Sequence, residues 1–148
     1  MAKFILVAIN GDGYTPSVDV TEGTSFSDVA GDYWAAAWIE QLYQDDLTDG
    51  CSQSPLAFCP NAKVSRAEMA KFLLTAIHAD DPDYEPDAVV GSSFADISSD
   101  YWAIDWVEAL YDAGVTTGCS QTPLKYCPES NVTRAEMAVF LVRAFELP

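Results

Sequence analysis

Two arginines occupy the starts of two predicted helices, where an acidic side chain would suit the helix better. They are Arg66 and Arg134, each preceded by Ser or Thr and followed by Ala-Glu, which completes a capping box. The helix dipole disfavours a cation at this end by about 0.3–1 kcal/mol, so the repeated arginine indicates a partner outside the helix. A guanidinium beside backbone N–H groups could bind a carboxylate ligand. The alternative is a structural ion pair with Asp28 and Asp96 or with an acid of a neighbouring repeat.

The four cysteines form two pairs with identical spacing, and the chain has one histidine, His78. A zinc site is disfavoured because C-x7-C is not a usual ligand spacing. Two local disulfides are favoured, each closing a short loop and stabilising it by about 2–3 kcal/mol. Such bonds predict a compartment outside the reducing cytosol. The cysteines are Cys51, Cys59, Cys119 and Cys127.

Neither a catalytic centre nor a cofactor is predicted. No Ser or Cys nucleophile has a histidine base in a recognisable motif, so the chain is not expected to be an enzyme. Asn10–Gly13 lacks the first acid of an EF-hand loop, which would fall at Ala8. An acidic linker could hold calcium loosely, although a solvated linker is the favoured interpretation. Its acids are Asp80, Asp81, Asp83, Glu85 and Asp87.

Charge and hydropathy exclude several classes of partner. The 148 residues contain 7 Lys plus Arg against 23 Asp plus Glu, for a net charge of −16. This balance argues against nucleic acid and against anionic lipid, since both require a basic surface. No apolar run approaches ~18 residues, so membrane insertion is not predicted.

Comparing the chain with itself reveals a repeat of 68 residues. Residues 26–77 align without a gap on residues 94–145, and 28 of the 52 positions are identical, which chance does not produce. The same shift places residues 1–9 over 69–77. We therefore predict three segments: 1–25, the second helix of a truncated repeat plus a linker; 26–93, a complete repeat plus linker; and 94–148, a complete repeat. The chain is expected to be a fragment of a longer protein whose secretion signal lies upstream.

Each repeat is predicted to contain helix A, a turn-rich loop and helix B. In the first complete copy, helix A covers about 32–45, with N-cap Asp32, and helix B about 65–78; Asp100 would cap the second helix A. The tryptophans Trp34, Trp38, Trp102 and Trp106 fall on the apolar face of helix A, so core packing is favoured over stacking on a sugar ring. We expect an all-α fold of tandem helix-loop-helix repeats with disulfide-tied loops.

These motifs together resemble the S-layer homology family. The shared pattern is a Phe-x-Asp opening, a Trp-Ala helix, a turn ending in glycine, an aromatic-x-Pro loop and a Ser/Thr-Arg-Ala-Glu helix start. The five parts of this pattern are marked in the first copy by Phe26, Trp34, Gly50, Phe58 and Ser65. In the second copy they are marked by Phe94, Trp102, Gly118, Tyr126 and Thr133. The match covers nearly the whole chain except the linkers, and the cysteine pair marks a variant branch.

The resemblance implies a secreted, non-catalytic module that anchors a larger protein to the cell envelope. It also implies that the all-α repeats pack as a pseudo-threefold bundle. Grooves between repeats would bind an acidic cell-wall or surface polysaccharide, and the motif arginine would contact its acid group. Transferred by position, the glycan-binding residues would be Arg66, Arg134, Trp34, Trp102, Asp28 and Asp96. The alternative function is structural, in which the repeats mediate protein–protein assembly of a surface layer or filament and the arginines form interface ion pairs.

Overall fold

The computed structural model describes residues 1–81 and 83–147, which form two compact units. The first unit is Met1–Ala62 and the second begins at Lys63. The boundary between them therefore lies inside the predicted repeat 26–93. The predicted segment boundaries themselves stay a prediction.

The first unit pairs a helix of the leading segment with helix A of the next repeat. Its elements are α1 (Ala2–Asn10), α2 (Ala36–Gln44), β1 (Ser52–Gln53) and β2 (Leu56–Ala57). Helix α1 packs on α2. The buried apolar faces of the two helices include Ile5, Leu6, Ile39 and Leu42, each no more than 2% exposed.

The second unit repeats this arrangement and adds one more helix. Its elements are α3 (Arg66–Ile77), α4 (Ile104–Asp112), β3 (Ser120–Gln121), β4 (Leu124–Lys125) and α5 (Arg134–Ala144). Helix α3 packs on both α4 and α5. Leu73, Phe94, Val107, Leu110 and Tyr126 are fully buried or nearly so and belong to the core of this unit.

The predicted all-α fold class is wrong, because the described residues contain two antiparallel hairpins beside the five helices. Each hairpin lies in a cysteine-bridged loop: β1 pairs with β2, and β3 pairs with β4. Strands of two residues are too short to show an alternating pattern, so the sequence predicts turns in these loops. Both predicted disulfides are present, Cys51–Cys59 and Cys119–Cys127, each with Cα atoms 6.0 Å apart. The fold is mixed α/β.

The two B helices begin where the capping boxes predict, and the two A helices begin later than expected. Ser65 and Thr133 each make both bonds of the box. Helices α2 and α4 begin at Ala36 and Ile104 without a side-chain cap, so Asp32 and Asp100 are not their N-caps. A turn occupies the intervening residues, in which the Ala36 N–H donates to the Tyr33 carbonyl at 2.8 Å.

Candidate functional site

A groove of about 440 Å³ opens in the second unit between α5 and the loop that leads into β3. Its volume lies within the range of about 300–1,000 Å³ that is typical of small-molecule sites. Helix α5 supplies one wall and the loop supplies the other. The lining residues are Arg66, Thr116, Thr117, Gly118, Cys119, Ala135, Glu136, Val139, Phe140 and Arg143.

Arg66 lies at the inner side of this groove and is held by protein groups. Its guanidinium carbon is 4.9 Å from the centre of the Tyr126 ring and 5.2 Å from that of Phe140. Its Nε donates to the Tyr126 carbonyl at 2.8 Å, and its Nη1 is 2.9 Å from Glu136 Oε1. The residue is 4% exposed. This arrangement is the structural ion pair with an acid of a neighbouring repeat, although the guanidinium still contributes to the lining of the groove.

Arg143 is the exposed cation of the groove. It lies in the last turn of α5, on the same helix face as Glu136, Val139 and Phe140, because residues at i, i+3, i+4 and i+7 share a face. Among the described residues, the hydrogen bond that its Nη1 makes is a long one, 3.4 Å, to the Val115 carbonyl. The ionisable lining residues are two arginines and one glutamate, for a local charge of +1 in a chain of net charge −16.

The loop wall of the groove is fixed by the hairpin that follows it. The Cys119 N–H donates to the Lys125 carbonyl at 2.7 Å, and the disulfide to Cys127 closes the hairpin at its base. Gly118 has φ +80°, and a Cβ there would collide with the Lys125 carbonyl oxygen and the Phe94 ring. Only glycine therefore fits at this point of the wall.

The two predicted aspartates bind backbone rather than an open site. Asp96 accepts the N–H groups of Tyr126 and Cys127, both at 2.8 Å. Asp28 does the same in the first unit for Phe58 and Cys59, at 2.8 and 2.7 Å. In each repeat the carboxylate fixes the end of the hairpin, where the cysteine adopts a positive φ.

The predicted tryptophans divide into two kinds. Trp34 is 76% exposed and Trp102 is 56% exposed, because both lie in the turn before their helix and outside its apolar face. The core interpretation is therefore wrong for these two. It holds for Trp106, which is 6% exposed, while Trp38 is half-buried. Trp102 is not among the residues that line the groove.

Arg134, the sequence counterpart of Arg66, is exposed, and in the described part of the chain it has neither an ion pair nor a side-chain hydrogen bond. It is not among the lining residues. Of the six residues transferred from the family pattern, the groove therefore contains Arg66. Its role in binding, like that of the other five, stays a prediction.

The carboxylate that holds Arg66 is itself stabilised in its charged form. Hydrogen bonds from the Thr133 N–H and hydroxyl lower the pKa of Glu136 below 4.5, and the Arg66 cation lowers it further, whereas burial opposes the shift. Burial raises the pKa of the Tyr126 hydroxyl, which donates to the Arg66 carbonyl at 2.8 Å. The ion pair therefore persists across neutral pH.

Sequence reasoning missed Arg143, Thr116, Thr117 and Val139. A usable signal existed in the repeat itself, because Arg143 aligns with Thr75 and Thr117 aligns with Asp49. Both differences make the second copy more positive than the first. Differences between copies, rather than their shared motif, identify the cation that faces the groove.

Two Asp-Cys-Cys groupings resemble metal sites in composition, namely Asp28 with Cys51 and Cys59, and Asp96 with Cys119 and Cys127. Their sulfurs are joined in disulfides and offer no thiolate, so neither grouping has a zinc ligand set. Loose calcium binding by the acidic linker stays a prediction. Across residues 1–81 and 83–147, every helix falls short of the length and apolar character that a membrane crossing requires.

Comparison with known proteins gives the family. Residues 93–138 match the model of the S-layer homology domain. The chain is 32% identical over 123 residues to an endoglucanase of Bacillus sp. (strain KSM-635), an alignment that covers 82% of this chain and 12% of that protein. It is 27% identical over 140 residues to the surface-layer 125 kDa protein of Lysinibacillus sphaericus, covering 95% and 11%. It is also 35% identical over 63 residues to an S-layer protein of Bacillus thuringiensis subsp. finitimus, covering 43% and 8%.

The chain therefore spans about a tenth of the length of these curated relatives, which include both enzymes and surface-layer proteins. The repeated motifs and the matched segment agree on the family, and the family and its relatives indicate a location at the cell surface or in the cell envelope. Residues 93–138 of this chain are an S-layer homology domain, a cell-surface anchoring module.

Proposed function

We propose that this chain is a non-catalytic module that holds a larger protein at the cell envelope, and that it does so by binding an acidic surface polysaccharide in the groove of the second unit. The observation that carries the proposal is the placement of two of the three arginines, Arg66 and Arg143, in one groove of a strongly acidic chain. A polyanion would be repelled by most of this surface, so a local positive site selects where it binds.

The chemistry of the lining suits an acidic sugar. Arg143 is exposed and presents a planar guanidinium that can bind a carboxylate with two parallel hydrogen bonds. The exposed hydroxyl of Thr117 can exchange hydrogen bonds with sugar hydroxyls. Val139 is 48% exposed and offers an apolar surface to the C–H face of a sugar ring.

Arg66 has a different role in this proposal. Its Nε and Nη1 are already bonded to protein acceptors, so it supplies fixed positive charge and shape rather than the main ligand contact. Arg143 makes the direct contact. Because Arg143 is exposed, its attraction for the ligand should weaken as ionic strength rises.

The test is sedimentation of the whole chain with purified envelope polysaccharide. Arg143→Gln should weaken binding by roughly tenfold or more, since a hydrogen bond to a charged group contributes about 1.5–3 kcal/mol. The matched control is Arg134→Gln, which removes the same charge from an exposed arginine of the same helix, outside the groove. If Arg143 makes the contact, the control should bind like the wild type, whereas the role that the resemblance assigns to Arg134 predicts weaker binding by this variant.

Two outcomes would contradict the proposal in different ways. Equal binding by the Arg143→Gln variant and the wild type would remove the groove as the site. No binding of the wild type to acidic envelope polysaccharide at low salt would remove the function itself.

A further inference from the structure

Both disulfides of the described residues have a carboxylate beside their sulfurs. In each copy, an oxygen of an aspartate and the two sulfurs lie within 4.8 Å of one another. The two groups are Asp28 with Cys51 and Cys59, and Asp96 with Cys119 and Cys127. The residues that line the groove include neither aspartate. The arrangement therefore belongs to the repeated cysteine-bridged loop and is separate from the proposed polysaccharide contact.

Hydrogen bonds hold the Asp96 carboxylate in its place next to the sulfurs. One oxygen accepts the N–H of Tyr126 and the other accepts the N–H of Cys127, both at 2.8 Å. Within the described residues, no basic side chain forms an ion pair with this carboxylate. The backbone bonds orient the group without cancelling its charge, so a full negative charge stays beside the disulfide.

Reduction of this disulfide by a thiol begins when a thiolate attacks one of the two sulfurs. Cys119 is exposed and Cys127 is half-buried, so we expect the attack at the Cys119 sulfur. A mixed disulfide then joins the small thiol to Cys119, and the Cys127 sulfur leaves as a thiolate that takes a proton from water. A second thiolate attacks the small-thiol sulfur of the mixed disulfide and releases Cys119. Two thiols are thereby oxidised to one small disulfide, and the protein gains two electrons and two thiols.

We infer that Asp28 and Asp96 protect the disulfides against anionic thiols, in addition to fixing the ends of the hairpins. The carboxylate repels the incoming thiolate, and it also repels any further acid group that the thiol carries. It disfavours the thiolate of Cys127 as well, which makes that sulfur a poorer leaving group. Thiols with extra carboxylates, such as glutathione, are the class of reductant that is slowed most.

The test measures how fast two small thiols of similar size and opposite charge reduce the whole chain at low salt. One is 2-mercaptoethanesulfonate, which carries a sulfonate, and the other is cysteamine, which carries an ammonium group. Alkylation of the freed cysteines, followed by mass spectrometry of the peptides, gives a separate rate for each disulfide at equal thiolate concentration. Asp96→Asn removes the charge but keeps the size of the side chain and a carbonyl acceptor. At Cys119–Cys127 this variant should raise the ratio of the sulfonate rate to the cysteamine rate by about threefold or more.

The other disulfide of the same molecule is the matched control. In Asp96→Asn the ratio at Cys51–Cys59 should stay at its wild-type value, and Asp28→Asn should show the reverse pattern. A loosened hairpin would admit both thiols faster and leave the ratio unchanged, so the ratio separates the effect of charge from a loss of structure. An unchanged ratio at the substituted site would overturn the inference and leave the aspartates with their structural role alone. Equal changes at both disulfides would also overturn it, because such an effect would come from the net charge of the chain.

Discussion

Replacement of Arg66 by alanine should destabilise the second unit far more than the same replacement at Arg134. Removal of Arg66 leaves the Tyr126 carbonyl without the hydrogen bond from Nε. Because Tyr126 is 0% exposed, this buried acceptor stays unpaired, which costs about 1–3 kcal/mol. The ion pair with Glu136, whose side chain is 40% exposed, contributes about 0.5–1 kcal/mol because water screens it. The two aromatic faces contribute about 0.5–1 kcal/mol each. Together these contributions amount to about 2.5–6 kcal/mol.

The measurement is urea unfolding followed by far-ultraviolet circular dichroism, with the midpoint and the slope fitted separately. Arg134→Ala is the matched control: the residue has the same place in its motif and is exposed, so its loss should change stability by about 0.5 kcal/mol or less. A double-mutant cycle of Arg66→Ala with Glu136→Gln should give a coupling energy within the range of about 0.5–3 kcal/mol for residues in contact. If Arg66→Ala costs less than about 1 kcal/mol, or if both alanine variants lose equal stability, the interpretation of Arg66 as a structural group is wrong.

Two further predictions concern the hairpin and the acid side of the stability curve. The Cys119–Cys127 disulfide closes a loop with a sequence separation of 8, and its reduction should lower the free energy of unfolding by about 2–3 kcal/mol in the urea experiment. Reduction should also weaken polysaccharide binding, because the disulfide holds the groove wall at Gly118 and Cys119. Stability should fall as pH drops below about 4.5, where glutamates of the unfolded chain begin to bind protons. In the folded state the pKa of Glu136 is lowered by its hydrogen bonds from Thr133 and by the Arg66 cation. Burial raises the pKa of Glu40, but its hydrogen bonds from Ser25 and Gln44 outweigh that effect and lower the pKa. A group with a lowered folded pKa stabilises the fold above its unfolded pKa and loses that contribution as pH falls through the folded value. A thermal midpoint that rose between pH 5 and pH 3 would contradict this sign, and Glu136→Gln should flatten the fall.

Much of the local structure could be predicted from the sequence because it depends on short-range chemistry. The capping boxes at Ser65 and Thr133 place the starts of α3 and α5 correctly, since their hydrogen bonds form within one turn of helix. The disulfides follow from the repeated spacing of the cysteines. The family follows from motifs that occur twice in a fixed order.

The remaining features depend on long-range contacts that the sequence does not display. Arg66 and Arg134 share the motif Arg-Ala-Glu-Met-Ala, yet one is buried and the other exposed, because the loop after β4 covers Arg66. Trp34 and Trp102 match the helical spacing of their neighbours, but the turn before each helix breaks that phase. Arg143 lies outside the shared motif, and only the fold brings it to the same groove as Arg66.

The position of the unit boundary matters for anyone who wishes to graft this module onto another protein. Cutting the gene between residues 93 and 94, where the sequence begins to repeat, would separate α3 from α4, the helix on which it packs, and would leave the groove without Arg66. A cut before Lys63 keeps all ten lining residues in a single transferable piece. The unit of exchange is therefore offset from the unit of duplication by about half a repeat.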